Sequence, residues 1–195
     1  MPSPIGHMVA GLAVGWAAHA LEAARSQPGD PAGAAPGRLA SAGSIPVAFC
    51  ALLAAAPDAD ILMASHRTYT HSVGAIALVG LAAAAGALWL RRPAVTAALV
   101  CAAAWGSHVF LDWLGHDGTP PIGLMALWPF TDRYYSSGFD LFADVSRRYW
   151  NLDEFVFGNA RSIARELVVL APLALAALWW QRRSTGPPPH PAPGL

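Results

Sequence analysis

Seven residues of this chain are candidate ligands of divalent metals by type and spacing: His7, Asp58, Asp60, His66, His71, His108 and Asp112. They occur in short clusters: Gly6-His7, Pro57-Asp58-Ala59-Asp60, His66 to Ser72, and Ser107-His108 with Asp112. His108 and Asp112 are four residues apart, so one helix face can offer both to a single centre. His66 and His71 are five apart and cannot share a helix face, which places at least one of them in a loop. Asp58 and Asp60 also need irregular backbone, which Pro57 favours. Imidazole nitrogen combined with carboxylate oxygen suits zinc first, and manganese or iron next, over calcium or magnesium. Seven donors exceed one tetrahedral zinc, so the expected cofactor is one or two divalent ions, a pair sharing a bridging carboxylate.

The chemistry such a centre supports is metal-assisted hydrolysis, in which the pKa of bound water falls from ~15.7 toward neutrality. Asp58 or Asp60 would bridge the ions while the other accepts a proton from the attacking water. Arg67, beside His66, would bind an anionic oxygen, and its planar fork favours a phosphoester. Asp58, Asp60 and Arg67 are therefore the expected catalytic residues. Ser72 and Ser107 adjoin His71 and His108, but sequence neighbours do not face each other on a helix, which disfavours a serine nucleophile. A glycine-rich phosphate loop is absent from the sequence.

What must position these residues follows from composition. Apolar residues make up 55% of 195 and charged residues 12%, where soluble domains carry about 25%. Mean hydropathy is +0.40, and twelve arginines balance twelve acids. This excludes a disordered chain and a soluble nucleic-acid binder driven by bulk positive charge, and no nucleic-acid contact is expected. At ~1.5 Å rise per residue, crossing a ~30 Å hydrocarbon core takes roughly 20 residues. Apolar stretches of that order lie near 5–24, 39–57, 72–90, 93–113 and 162–181. The expected fold is all-α, a polytopic membrane bundle of about five transmembrane helices forming one domain over 1–183.

Between the fourth and fifth spans, residues 115–161 are aromatic and acidic and read as an ordered interfacial cap, since Trp and Tyr favour that depth. Residues 184–195 are Pro-rich and read as a disordered tail that includes His190. Met1 to Ile5 lack the basic region of a cleavable signal peptide. Cys50 and Cys101 fall within spans and read as small buried hydrophobes. His19, at the far end of span one near Glu22, reads as structural. His116 and Asp117 sit in a GHDGTPP turn.

Threading five spans puts all seven candidate ligands on one face. That face carries six arginines against ten acids, and the opposite face six arginines against two. Arg91-Arg92 and Arg182-Arg183 lie close to span ends on the second face, which places it in the cytoplasm and the candidate site on the extracytoplasmic face of the cell membrane. Membrane lipids are the expected partners, and a lipid phosphoester the expected substrate. A metal-ion permease and a non-catalytic membrane scaffold are the competing readings. Clustering of the ligands at one membrane end, rather than at the midplane, counts against a permease.

The blocks GH at 6–7, PDAD at 57–60, HRTYTHS at 66–72, SHVFLDWL at 107–114 and GTPPIGLMALWPF at 118–130 resemble the YdjM-type integral-membrane family. Members are described as predicted metal-dependent hydrolases. The matching blocks cover most of residues 5–130. The resemblance implies that His7, Asp58, Asp60, His66, His71, His108 and Asp112 occupy motif positions. Two positions depart from the pattern: Ile61 follows Asp60 where the family often has histidine, and Thr68 stands where glycine is frequent.

The threading makes one direct prediction. With single cysteines at Thr68→Cys or Thr185→Cys, a membrane-impermeant thiol reagent applied to intact cells should label position 68 and spare 185. Labelling at 185 alone would reverse the orientation.

Overall fold

The computed structural model describes residues 1–25, 45–63, 66–146 and 148–185. Five α-helices follow in order: α1 (Pro4–Arg25), α2 (Val47–Ala55), α3 (Val73–Trp89), α4 (Ala94–Leu114) and α5 (Asn159–Thr185). Between α2 and α3 run two 3-10 segments, Ala56–Met63 and Tyr69–His71, and a π-helical turn, Glu154–Gly158, leads into α5. The described residues contain no strand, only isolated bridges Gly115–Phe142 and Leu124–Tyr135 within the cap.

The helix boundaries have local causes. Pro46 precedes α2 and Pro93 precedes α4, where a missing N–H costs nothing. Ser72 caps α3 by accepting from the Ala75 N–H at 3.1 Å. The next two exposed donors of α3, Val73 N and Gly74 N, are taken by cap carbonyls of Ala126 and Trp128 at 2.8 and 2.9 Å. The tight turn between α3 and α4 places Arg91 at φ 54° and returns the Arg92 N–H to the Ala87 carbonyl at 2.7 Å.

Five helices were expected to be five spans, and here the structure is more reserved. Two helices, Ala94–Leu114 and the continuous Glu154–Thr185, are long and apolar enough to cross a membrane. α3 is apolar but 17 residues long. α1 has 22 residues, but His7, His19, Glu22 and its glycines lower its hydropathy. The expected 39–57 span becomes nine α-helical residues that tighten into 3-10 turns at Ala56, beside Pro57. Its first residues, 39–44, lie outside the described residues, as do residues 26–38 and most of the expected tail. α5 itself runs on through Thr185, taking up the first two tail positions.

Helix α1 packs against α2, α4 and α5, whereas α3 packs chiefly on α4. The distribution of polarity is inverted relative to a water-soluble bundle. Leu81, Leu88 and Trp89 on α3, Val95 and Leu99 on α4, and Val168 and Leu173 on α5 are exposed. Three histidines and a glutamate are among the largest fully buried side chains. Small residues let the helices approach: a Cβ on Gly11 would fall 2.4 Å from the Cys50 carbonyl oxygen, and one on Gly15 3.0 Å from Val47 Cα. The cap is seated by Phe142, fully buried against Leu111 and Leu170.

Gly11→Ala should lower unfolding stability in detergent by about 1–3 kcal/mol through overpacking. Gly86→Ala is the matched control, because a Cβ there meets nothing within 4 Å. It should be neutral or gain about 0.5–1 kcal/mol from helix propensity. Equal behaviour of the two variants would refute the tight α1–α2 contact.

Candidate metal centre

The two residues that α4 was expected to present together do point at one place. His108 Nε2 lies 3.2 Å from Asp112 Oδ2, and both side chains are buried. His71, at the end of the second 3-10 segment, brings its Nε2 within 3.2 Å of the same Asp112 oxygen and 3.0 Å of His108 Nε2. Asp58, from the first 3-10 segment, stands 3.9 Å from His71 Nε2 and 3.7 Å from His108 Nε2. A tetrahedral ion with bonds of 2.0–2.2 Å separates neighbouring ligand atoms by about 3.4 Å. These separations scatter around that value, so Asp58, His71, His108 and Asp112 could hold one ion with little rearrangement.

The hydrogen bonds fix which ring atoms are available. The Ala54 carbonyl can only accept, so His108 Nδ1 donates to it at 2.8 Å and the Nε2 lone pair faces the cluster. Thr70 Oγ1 donates to Asp60 and so accepts from His71 Nδ1 at 2.9 Å, which leaves His71 Nε2 facing the same point. Two lone pairs 3.0 Å apart repel unless a cation or a proton lies between them. Asp112 sharpens this: neither carboxylate oxygen has a hydrogen bond among the described residues. Such a group, buried at 2% exposure, is stable only beside positive charge.

Asp60 and His66 form the outer half of the cluster. His66 Nδ1 lies 2.7 Å from Asp60 Oδ1, and Asp60 Oδ2 is 3.2 Å from His71 Nδ1. Asp60, His66 and His71 make a second group able to hold an ion. Burial would raise the Asp60 carboxyl, but hydrogen bonds with His71, Thr70 and His66 outweigh it and hold it well below the usual carboxylate range. Burial likewise opposes charge on His71, yet the adjacent Asp112 and Asp60 carboxylates raise it to about 9. The two shifts share a cause, the pairing of the Asp60 carboxylate with the His71 imidazole.

His7 reaches the inner group from α1. Its ring stacks on His108 with centroids 3.7 Å apart, and its Nε2 is 3.3 Å from Asp112 Oδ1. Neither nitrogen has a hydrogen bond among the described residues. Asp112 thus has one oxygen toward His71 and His108 and the other toward His7. Asp60 is placed in the same way in the outer group, with one oxygen toward His66 and the other toward His71.

Arg67 is anchored from the turn that follows α4. Its backbone is left-handed at φ 67°, and its guanidinium pairs with Asp117 and donates to the Thr119 carbonyl at 3.1 Å. Asp117 also accepts from Thr119 N and Gly123 N, so it ties the 117–123 turn to Arg67. His116 pairs with Asp140 at 3.1 Å, half exposed, and lies outside both metal-capable groups. His19 bonds the Ile45 carbonyl and Gln181 at the far end of α1. A cavity of about 1070 Å³ adjoins the centre, and Asp58, His66 and Arg67 share its wall with Ser3, Arg148 and Arg161. Asp58, at 17% side-chain exposure, is the inner-group member that meets it.

Sequence reading passed over Glu166. It sat inside a span too near the arginines of α5 to stand out, although a lone carboxylate at that position is itself a signal. It is fully buried, and accepts from Ser3 N at 2.7 Å and from the Ser3 hydroxyl.

No curated protein and no solved structure matches the chain. The family model described as "YdjM inner membrane protein" matches residues 1–185, from α1 through the last turn of α5. A polar, metal-capable interior inside an apolar exterior accords with that description, and the chain belongs to the YdjM inner membrane protein family.

Proposed function

We propose that this protein is a multi-pass membrane hydrolase that depends on a divalent metal and cleaves a phosphoester of a lipid or another membrane-proximal substrate. One observation carries the reading: a buried His/Asp group with near-tetrahedral spacing meets, through Asp58, a large cavity whose wall also holds arginines. A hydrolase needs this juxtaposition, whereas a purely structural ion can be closed off on all sides.

The residues divide by position. His71, His108 and Asp112 would hold the first ion, leaving Asp58 free at the cavity side, with His7 approaching the other oxygen of Asp112. Asp60 and His66 would hold a second ion, or act through His71 by fixing its ring. Zinc suits this donor set best, and manganese or iron also fit. The bound ion would supply Lewis acidity and activated water at neutral pH. Asp58, at the cavity edge, would accept a proton from attacking water. Arg161 lines the cavity with no hydrogen bond or ion pair among the described residues, and Arg67 lines it while anchored to Asp117. Together they would attract and orient an anionic phosphoester.

Apolar residues Ile5, Ile61, Phe155 and Ile163 share the cavity wall with these arginines. Such a lining accommodates a substrate with both a phosphate and a hydrocarbon part. All five α-helices would serve as spans, the shorter ones accommodated by bilayer thinning or by the cap. The centre would lie toward the extracytoplasmic side, opposite Arg91-Arg92 and Arg182-Arg183.

Purified protein should carry one or two equivalents of divalent metal and turn over a phosphodiester or phospholipid. His108→Ala should lose metal, and Asp58→Ala and His108→Ala should each cut turnover by at least ~10²-fold. Bound metal without turnover on any phosphoester, together with metal flux into liposomes, would favour a permease instead. Metal-free wild type, with unaltered stability in both variants, would remove the site altogether.

A further inference from the structure

Helix α5 contributes no ligand to either metal-capable group, yet it carries a fully buried carboxylate, Glu166, one residue's reach from the centre. Its partners are all at the start of α1. One carboxylate oxygen accepts from Ser3 N at 2.7 Å and the other from the Ser3 hydroxyl. That hydroxyl in turn accepts from Gly6 N at 3.2 Å, and the Ser3 carbonyl accepts from His7 N at 3.1 Å. Glu166 therefore sits at the positive end of α1 and satisfies donors that the helix itself cannot. A Cβ on Gly6 would lie 2.6 Å from Glu166 Oε2, so glycine at this position is what admits the carboxylate.

The next residue is His7. Its ring is fully buried against His108 and Asp112, and its nitrogens have no hydrogen bond among the described residues to orient it. What places the ring is then the backbone position of the first turn of α1, which Glu166 fixes. We propose that Glu166 is a positioning residue of the metal centre: it clamps the first turn of α1 to α5 so that His7 stands against Asp112. The proposal rests on the metal-centre reading above. It also explains why a glycine directly precedes the histidine, a pairing that spacing alone left without a reason.

The test is a cobalt(II) titration of the full-length protein in detergent, read by the visible ligand-field bands, with thermal unfolding measured in parallel. Glu166→Ala should weaken cobalt(II) binding about 10- to 100-fold and alter the bands as His7→Ala does. Because Glu166 acts through His7, the double variant should bind no more weakly than His7→Ala alone. Glu166→Gln keeps an acceptor for Ser3 N and should restore most of the affinity. Gly6→Ala, which displaces the carboxylate from the α1 side, should reproduce the loss and serves if Glu166→Ala fails to fold. A lower melting temperature with unchanged cobalt(II) affinity and bands in Glu166→Ala and Gly6→Ala would reduce Glu166 to a helix cap and overturn the proposal alone. Wild-type protein that binds no cobalt(II) would overturn both the proposal and the metal-centre reading.

Discussion

Two imidazole nitrogens aimed at one point 3.0 Å apart, beside a buried carboxylate with no hydrogen bond among the described residues, set the terms for this molecule. Neither His71 nor His108 can turn away, because Thr70 and the Ala54 carbonyl hold their far nitrogens. Negative charge and lone pairs are thus gathered in a region that would otherwise exclude them, and a cation is the economical resolution. The surrounding packing serves that concentration. Glycine contacts draw α1 against α2, α4 supplies two donors from one face, and cap carbonyls fix the first turn of α3 directly after His71.

The inverted polarity follows from the same constraint. Helices that bury histidines and carboxylates have few large apolar residues to spare for the interior, so small residues fill the contacts and leucines face outward. In lipid that arrangement is stable, since outward leucines lose nothing by meeting hydrocarbon and close van der Waals contact holds the helices. In water the same surface would be an aggregation liability. Membership of an inner-membrane family and the two long apolar helices agree with this physical reading.

Much of the centre could be read from residue types. The i, i+4 spacing of His108 and Asp112 gave one helix face, and the five-residue spacing of His66 and His71 required a break, which the 3-10 segment supplies. Other features were not legible. Pro57 signalled irregular backbone but not that the helix before it would have only nine residues. The anchor of Arg67 is Asp117, fifty residues away, and leaves no trace in local spacing. Glu166 was overlooked for the same reason: its meaning depends on Ser3 and Gly6, from the opposite end of the chain.

The sequence by itself determined that the chain is helical, that it is apolar enough for a membrane, and that His and Asp residues gather near helix ends. Composition and short-range periodicity govern these properties, and both are local. Only the tertiary structure decided which oxygen faces which nitrogen, that Asp112 and Asp60 each lie between imidazoles, and that Glu166 of α5 meets the start of α1. Those outcomes depend on separations of 3 to 4 Å between residues far apart in sequence, which packing sets and spacing does not.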